Sequence, residues 1–294
     1  MNLYNDIVIT KDRATAKSYA KINLTLDVLG KLPNGYHEVK MIMQSISLFD
    51  LIIVDKALHG IHISTNSKFI PRNGKNIAYK AAKLFFEKSG IRGGAKILIH
   101  KNIPVSAGLA GGSGNAAAVL CALNMLYDFQ IGNSELFDIA LYLGADVPYC
   151  INGGTCLAEG IGEKLTPLSS LPAFPVVLVK PHISVSTADI YNRIDTENNL
   201  THPDTDKALT AIQNGDYNLL FGNMINIMDT VTKKICPDIS EITKIMCDLG
   251  AKVSLMSGSG PTVYGIFDDD ISAKNAFNIL NKKYEETFFA HISD

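Results

Sequence analysis

Apolar and polar residues alternate strictly from 19 to 28. Ala20, Ile22, Leu24, Leu26 and Val28 fall on one side, and Lys21, Asn23, Thr25 and Asp27 on the other. A period of two predicts a strand with one buried face. Lys21 and Asn23 then project from the same face, about 7 Å apart. The stretch 30–35 contains Pro33-Asn34-Gly35 and reads as a turn. Tyr36 and His37 follow it directly, and 39–53 reads as a second long strand or hairpin arm. Residues 76–88 carry helical spacing at Ile77, Ala81, Leu84 and Phe85, closed by Gly90. A strand is expected at 96–100. An Ala- and Leu-rich helix is expected at 115–127. A further helix is predicted at 134–143, capped by Ser134 and stopped by Gly144, followed by a loop through Asp146 and Pro148.

Three prolines within 167–175 mark the expected domain boundary, dividing the chain into 1–166 and 167–294. Beyond it the pattern predicts a buried strand at 176–180, helices near 205–228 and a helix at 238–249. Strands at 251–256 and 262–267, a helix at 271–284 and a last strand near 287–291 follow. Strands and helices mix without a regular βαβ repeat, which points to an α+β fold in two domains.

Composition narrows the function classes. The 294 residues are 47% hydrophobic, enough for sizeable cores. The net charge of −2 argues against a nucleic-acid binder. No run approaches the ~18 apolar residues of a membrane span. The first ten residues lack the basic and long apolar regions of a secretory signal. The five cysteines show no Cys-x-x-Cys spacing and read as reduced thiols of a cytoplasmic protein. His59 and His62 have no second ligand pair nearby, so no metal site is expected from protein side chains.

The strongest local signal is Pro104-Val105-Ser106-Ala107-Gly108-Leu109-Ala110-Gly111-Gly112-Ser113-Gly114, feeding a helix. Glycines let backbone amides approach an anion, and the helix adds unpaired N–H groups and a positive dipole end. Phosphate is the expected ligand. Four glycines in seven residues exceed what a packing turn needs. The segment is neither a Walker A loop nor a Rossmann fingerprint, because Ala117 stands where the third glycine belongs. Ser113 offers a hydroxyl to phosphate or metal, or caps the helix. A second cluster, Ser257-Gly258-Ser259-Gly260-Pro261, is either a hairpin connection or a row of amides lining a substrate pocket. Asp146, from the residues alone, caps the loop before Pro148, and Lys21 is a surface lysine.

Three segments together resemble the motifs of the GHMP kinases: 19–24, 104–117 and 257–262. The stretch 20–38, with Gly144-Ala145-Asp146-Val147-Pro148, is similar to the members of that family acting on 4-diphosphocytidyl-2-C-methyl-D-erythritol, an isoprenoid precursor. The resemblance implies an N-terminal domain like domain 2 of ribosomal protein S5 and a ferredoxin-like C-terminal domain. It implies transfer of the ATP γ-phosphoryl to the erythritol 2-hydroxyl in the methylerythritol phosphate pathway. ATP is then the co-substrate, with Mg²⁺ held mainly by its phosphates. The implied catalytic base is Asp146 and its partner Lys21. Residues 104–114 would bind ATP, with Asn76 near the adenine. Asn23 would bond near the reacting hydroxyl, and Tyr36, His37 and Tyr191 would hold the cytidine end. No membrane or nucleic-acid partner is implied, and the protein would act as a monomer or homodimer. The family loop is usually close to Gly-Gly-Gly-Leu-Gly-Gly-Gly-Ser-Ser. Ala107 and Ala110 depart from it and fit only at negative φ. Gly114 replaces a serine. A relative using homoserine or mevalonate would lack the Gly35-Tyr36-His37 segment, and a non-catalytic ATP sensor would have lost Lys21 or Asp146.

Overall fold

A computed structural model of the chain describes residues 3–128 and 131–293. A 3-10 turn at Leu3–Asp6 precedes β1 (Val8–Ile9), β2 (Arg13–Lys31), β3 (His37–Ala57) and β4 (Gly60–Thr65). Then come α1 (Ile77–Ser89), β5 (Gly94–His100), α2 (Gly111–Leu126), α3 (Asn133–Leu143) and α4 (Val147–Asn152). Strands β6 (Thr155–Gly160), β7 (Lys164–Pro167) and β8 (Pro175–Lys180) lead to α5 (Thr187–Ile194), α6 (Thr205–Asn214), α7 (Tyr217–Gly222), α8 (Asp229–Ile235) and α9 (Asp238–Asp248). The chain ends with β9 (Val253–Met256), β10 (Val263–Ile266), α10 (Asp270–Leu280) and β11 (Glu286–His291). No helix among the described residues is long and apolar enough to cross a membrane.

Contacts divide the chain into two compact units, each discontinuous in sequence because β2 and β3 are long enough to enter both. The first unit takes the chain up to Ala20, Phe49–Val105 and Ala110–Gly153. The second takes Lys21–Leu48, Ser106–Leu109 and everything from Gly154.

In the first unit, the end of β3 pairs antiparallel with β5, from Leu51↔His100 to Ala57↔Gly94. β5 pairs parallel with β4, from Gly60↔Gly94 to Thr65↔Ile99. A parallel pair needs a crossover, and α1 provides it. Ile52, Val54, Ile97 and Ile99 face Ala81, Ala82, Phe85 and the buried run Ala116–Leu123. That run explains α2. Alanines around its circumference allow neighbours close on every side. The helix starts at Gly111, four residues earlier than the sequence pattern suggests, so Gly111, Gly112 and Ser113 form its first turn. Helix α3 is preceded by Gly132 without a side-chain cap, not capped by Ser134.

In the second unit, the start of β3 pairs with β6 from Val39↔Gly160 to Gln44↔Thr155, and β6 pairs with β7. A separate antiparallel sheet runs in the order β11-β8-β10-β9. All six residues of β8 are buried: the apolar run Pro175–Val179, and Lys180, whose ammonium pairs with Glu286.

The polar face of β2 differs from expectation. Lys21, Asn23, Thr25 and Asp27 are all buried, so both faces of the strand are covered. The cover comes from residues about two hundred positions away. Leu26 bridges Asn226, and the Tyr264 hydroxyl donates to the Asn23 carbonyl at 2.7 Å. Buried polar groups persist where they are hydrogen-bonded. The Thr25 hydroxyl accepts from the Ile42 amide at 3.1 Å, and Asp27 Oδ1 accepts from the Val28 amide at 2.8 Å.

The glycine-rich segment carries one unexpected backbone state. Ala107 keeps φ negative, but Ala110 takes φ +54°, as does Ser106 at +53°. The left-handed region costs an L-residue about 1–2 kcal/mol, so the Ala110 methyl is tolerated at an energetic cost.

Two stability predictions follow from these placements. Ala110→Gly is expected to raise stability by about 0.5–1 kcal/mol in thermal unfolding, because glycine adopts that φ freely. An unchanged or lowered midpoint would contradict the strain. Tyr264→Phe is expected to lower stability by about 1–3 kcal/mol, since it leaves a buried carbonyl on β2 without its donor. A neutral effect in denaturant titration would show that the bond contributes nothing.

Candidate functional site

Lys21 lies on the covered polar face of β2 and is 5% exposed. Its ammonium donates to Asn23 Oδ1 at 2.8 Å, confirming that the two side chains share a face. Asn23 Nδ2 in turn donates to Met41 Sδ at 3.3 Å. Among the described residues of its unit, no acidic side chain pairs with Lys21. Sequence placed this lysine on an open surface, whereas the structure buries it.

Two glycine-containing turns meet beside it. The Lys21 amide donates to the Leu109 carbonyl at 3.2 Å, which holds segment 106–109 along β2. The Ser257 hydroxyl donates to the Gly108 carbonyl at 3.0 Å. Gly108 has φ +74°, and a Cβ there would lie 2.2 Å from the Ser257 carbonyl oxygen. No other residue fits. A Cβ at Gly258 would lie 3.3 Å from the Lys21 ammonium, so the 257–260 turn runs directly against the lysine. The second glycine cluster is thus the connection of the β9–β10 hairpin, packed against Gly108 and Lys21. Asn226 braces it, donating from Nδ2 to the Met256 and Gly258 carbonyls, each at 2.8 Å. The hydroxyls of Thr187 and Ser259 share a bond of 2.7 Å. Neither Asn226 nor Thr187 carried a sequence signal.

The same unit contains a second constellation. The turn after β2 places Gly35 at φ +85°, and the Tyr36 amide donates to Asn34 Oδ1 at 3.0 Å. Tyr36 is 59% exposed. His37, the next residue, is buried. Its ring stacks on Tyr191 at 4.6 Å and 18°. Tyr191 sits on α5, a helix the sequence pattern did not predict, capped by the Ser186 hydroxyl. His37 Nε2 lies 2.7 Å from Asp195 Oδ1, and Lys31 donates to Asp195 Oδ2 at 2.9 Å. Lys31 first, and His37 with it, holds the Asp195 carboxyl below the usual carboxylate range. His37 and Tyr191 are thus brought together with two charged residues that sequence reasoning missed, while Tyr36 is exposed and is placed only as the chain neighbour of His37.

In the first unit, Pro104 and Val105 lead from β5 toward the loop, and Ala110 precedes the first turn of α2. The amides of Gly111, Gly112 and Ser113 open that helix, the anion-seeking end of a sixteen-residue dipole. A Cβ at Gly111 would meet Lys101 Nζ at 2.8 Å. Lys101 pairs with the buried Asp50, which also accepts from the amides of Asn102 and Ile103 at 2.7 and 2.8 Å. Burial pulls the Lys101 pKa down, against the opposing effect of Asp50. At Gly114 a Cβ would lie 2.5 Å from Ser18 Oγ, so the serine of the usual family loop would require the Ser18 side chain to turn away. Asn76 has a local role: its Oδ1 accepts from Ala78 N at 2.9 Å and its Nδ2 donates to Pro71 O at 2.7 Å, capping α1. Each amide atom retains one further hydrogen-bonding position.

Asp146 is not in an open loop. It is the residue before α4, with Pro148 in that helix's first turn. Its carboxylate makes no cap hydrogen bond. The backbone-capping role is therefore not realised, and the group is half-buried with its acceptor capacity unspent. No group of three or more His, Cys, Asp or Glu side chains able to hold a metal occurs among the described residues.

Comparison with known proteins agrees with this geometry. The GHMP kinases N terminal domain matches residues 76–154, and the GHMP kinases C terminal domain matches residues 208–286. A 4-diphosphocytidyl-2-C-methyl-D-erythritol kinase of Clostridium botulinum is 45% identical over 273 residues, covering 93% of this chain and 98% of the relative. One of Alkaliphilus metalliredigens is 48% identical over 272 residues, covering 92% and 94%. A crystal structure of 4-(cytidine 5'-diphospho)-2C-methyl-D-erythritol kinase superposes with a TM-score of 0.82 at 32% identity, covering 95% of this chain and 99% of that one. With both family domains matched and relatives aligned over nearly their whole length, the chain belongs to the GHMP kinase family, in the branch of the 4-diphosphocytidyl-2-C-methyl-D-erythritol kinases.

Proposed function

We propose that this kinase transfers the ATP γ-phosphoryl group to the 2-hydroxyl of 4-diphosphocytidyl-2-C-methyl-D-erythritol. The observation that carries the reading is Lys21. A buried ammonium is costly unless an anion pairs with it. Lys21 has only the neutral Asn23 oxygen in its unit, beside two turns packed against each other and against it. A phosphate oxygen supplies the missing charge.

Phosphoryl transfer works mainly through positioning and charge stabilisation. The amides of Gly111, Gly112 and Ser113 bind phosphate oxygens at the α2 terminus. Lys21 stabilises the charge of the γ-phosphoryl in flight. The acceptor oxygen bonds to the γ-phosphorus as the bond to the β–γ bridging oxygen breaks and ADP leaves. Asp146, ionised at neutral pH, takes the hydroxyl proton. Asn23 orients the acceptor near Lys21. Tyr36, His37 and Tyr191 hold the cytidine end, where an aromatic face stacks on the base.

Mg²⁺ favours oxygen ligands and keeps several waters. The Ser113 hydroxyl and Asp146 carboxylate would be this chain's oxygen donors for it, and nucleotide phosphates would provide the rest. When bound, the ion neutralises charge on the β- and γ-phosphates.

We keep 1–166 and 167–294 as the proposed family-domain division, because it lies between the matched stretches 76–154 and 208–286, although the compact units cross it. The cytoplasm suits its thiols. The five cysteines form no disulfide among the described residues, and burial pushes Cys121 up to about 12 and Cys156 to about 11.

The direct test is ADP release from Mg·ATP with the cytidine compound offered beside homoserine, mevalonate and galactose. Turnover with the cytidine compound alone is expected, and turnover only with another acceptor would discard the substrate. Asp146→Asn is expected to lower kcat by about 10²–10⁴ with the thermal midpoint unchanged, because no cap bond is lost. A large fall in stability would instead make Asp146 structural. Tyr36→Ala is expected to raise the acceptor KM well above any change in the ATP KM. Equal effects on both would remove Tyr36 from the cytidine end.

A further inference from the structure

Asp195 is a carboxylate with no task in the reaction as described. Tyr191 and Asp195 stand four residues apart at the end of α5, and the Asp195 amide donates to the Tyr191 carbonyl at 3.1 Å. Residues at that spacing share one face of a helical turn. Both side chains reach the same imidazole. Tyr191 stacks on the His37 ring at 4.6 Å, which fixes its plane. Asp195 Oδ1 sits 2.7 Å from Nε2, which fixes its rotation. Lys31 secures the other carboxylate oxygen at 2.9 Å. The His37 side chain is 7% exposed, so the arrangement is built rather than incidental.

An ionised carboxylate only accepts hydrogen bonds. Its imidazole partner must therefore carry a proton on Nε2. In the neutral ring, Nδ1 is then a bare acceptor. Nδ1 has no hydrogen-bond partner among the described residues. Cytosine and uracil differ at position 4 and at N3, which is an acceptor in cytosine and an N–H donor in uracil; an acceptor set against position 4 reads the first difference. Cytosine presents an exocyclic amine, a donor, and uracil presents a carbonyl, an acceptor. An acceptor set against an acceptor leaves two polar groups unpaired, which costs about 1–3 kcal/mol.

We propose that Asp195 is a positioning residue that holds His37 as its Nε2–H tautomer, so that Nδ1 accepts from the exocyclic amine of a cytosine ring and rejects uracil. Lys31 and Tyr191 keep the pair in place. The inference rests on the reading that His37 faces the cytidine end of the acceptor.

The test combines a readout free of substrate with a binding comparison. Long-range ¹H–¹⁵N spectra of the full chain, recorded across a pH series, report the protonation and tautomer of His37 directly. The Nε2–H form is expected in the wild type, a mixture in Asp195→Ala, and recovery in Asp195→Glu. Calorimetry with CDP and UDP is expected to show at least about a tenfold preference for CDP in the wild type. Asp195→Ala is expected to narrow that preference to about threefold or less, and to raise the acceptor KM by a larger factor than it lowers kcat. An Nδ1–H tautomer in the wild type overturns the proposal. So does an Asp195→Ala variant that keeps both the tautomer and the CDP preference, and in that case the cytidine reading survives. A wild type that binds neither nucleotide brings down the cytidine reading and this inference with it.

Discussion

Burial of the Lys21 ammonium on β2 is the constraint around which the second unit is organised. A charged group withdrawn from water needs partners, and the chain brings them from distant sequence. Asn23 accepts from it, and the 257–260 turn closes over it. Tyr264 satisfies the backbone of the same strand. Segment 106–109 is stitched to β2 by the Lys21 amide and to the 257–260 turn by the Ser257 hydroxyl. Such a cluster supports the fold less than a hydrophobic replacement would. Its retention makes sense when the missing negative charge arrives with a substrate.

The glycines of the two loops allow close packing. Gly108 and Gly258, in the second unit, let backbone pass within contact of a neighbour, where any side chain would collide. In the first unit, a Cβ at Gly111 would meet Lys101 Nζ at 2.8 Å. Ala110 shows the limit of the requirement. Its methyl sits in a left-handed conformation at a bearable cost, so a glycine there is favoured by energy but not demanded by space.

Much of this was legible in the sequence, because periodicity reports burial. The alternation of 19–28, the Ala-rich run after Gly114 and the apolar stretch of β8 each gave the right element. The polar face of β2 was misread as exposed because its cover comes from His202, Asn226 and Tyr264, and no local pattern announces partners so far along the chain. Helix α5 was missed because it is eight residues long and mostly polar. With it went Asp195, whose relation to His37 spans 158 positions. Asn76, expected near the adenine by resemblance, has a local role that the residues alone did not announce: it caps α1. The lysine and aspartate of the proposed chemistry were located by resemblance, and their environments explain why those side chains have capacity to spare.

The account turns on Lys21 as a buried cation awaiting phosphate. Single-turnover phosphoryl transfer by Lys21→Met, with folding verified by circular dichroism, tests it most directly. A rate lowered by about 10²–10³ in a folded protein is predicted, as expected when a preorganised charge on the reacting phosphoryl is removed. A folded variant that transfers within about threefold of the wild-type rate, a difference of under 1 kcal/mol, would contradict it.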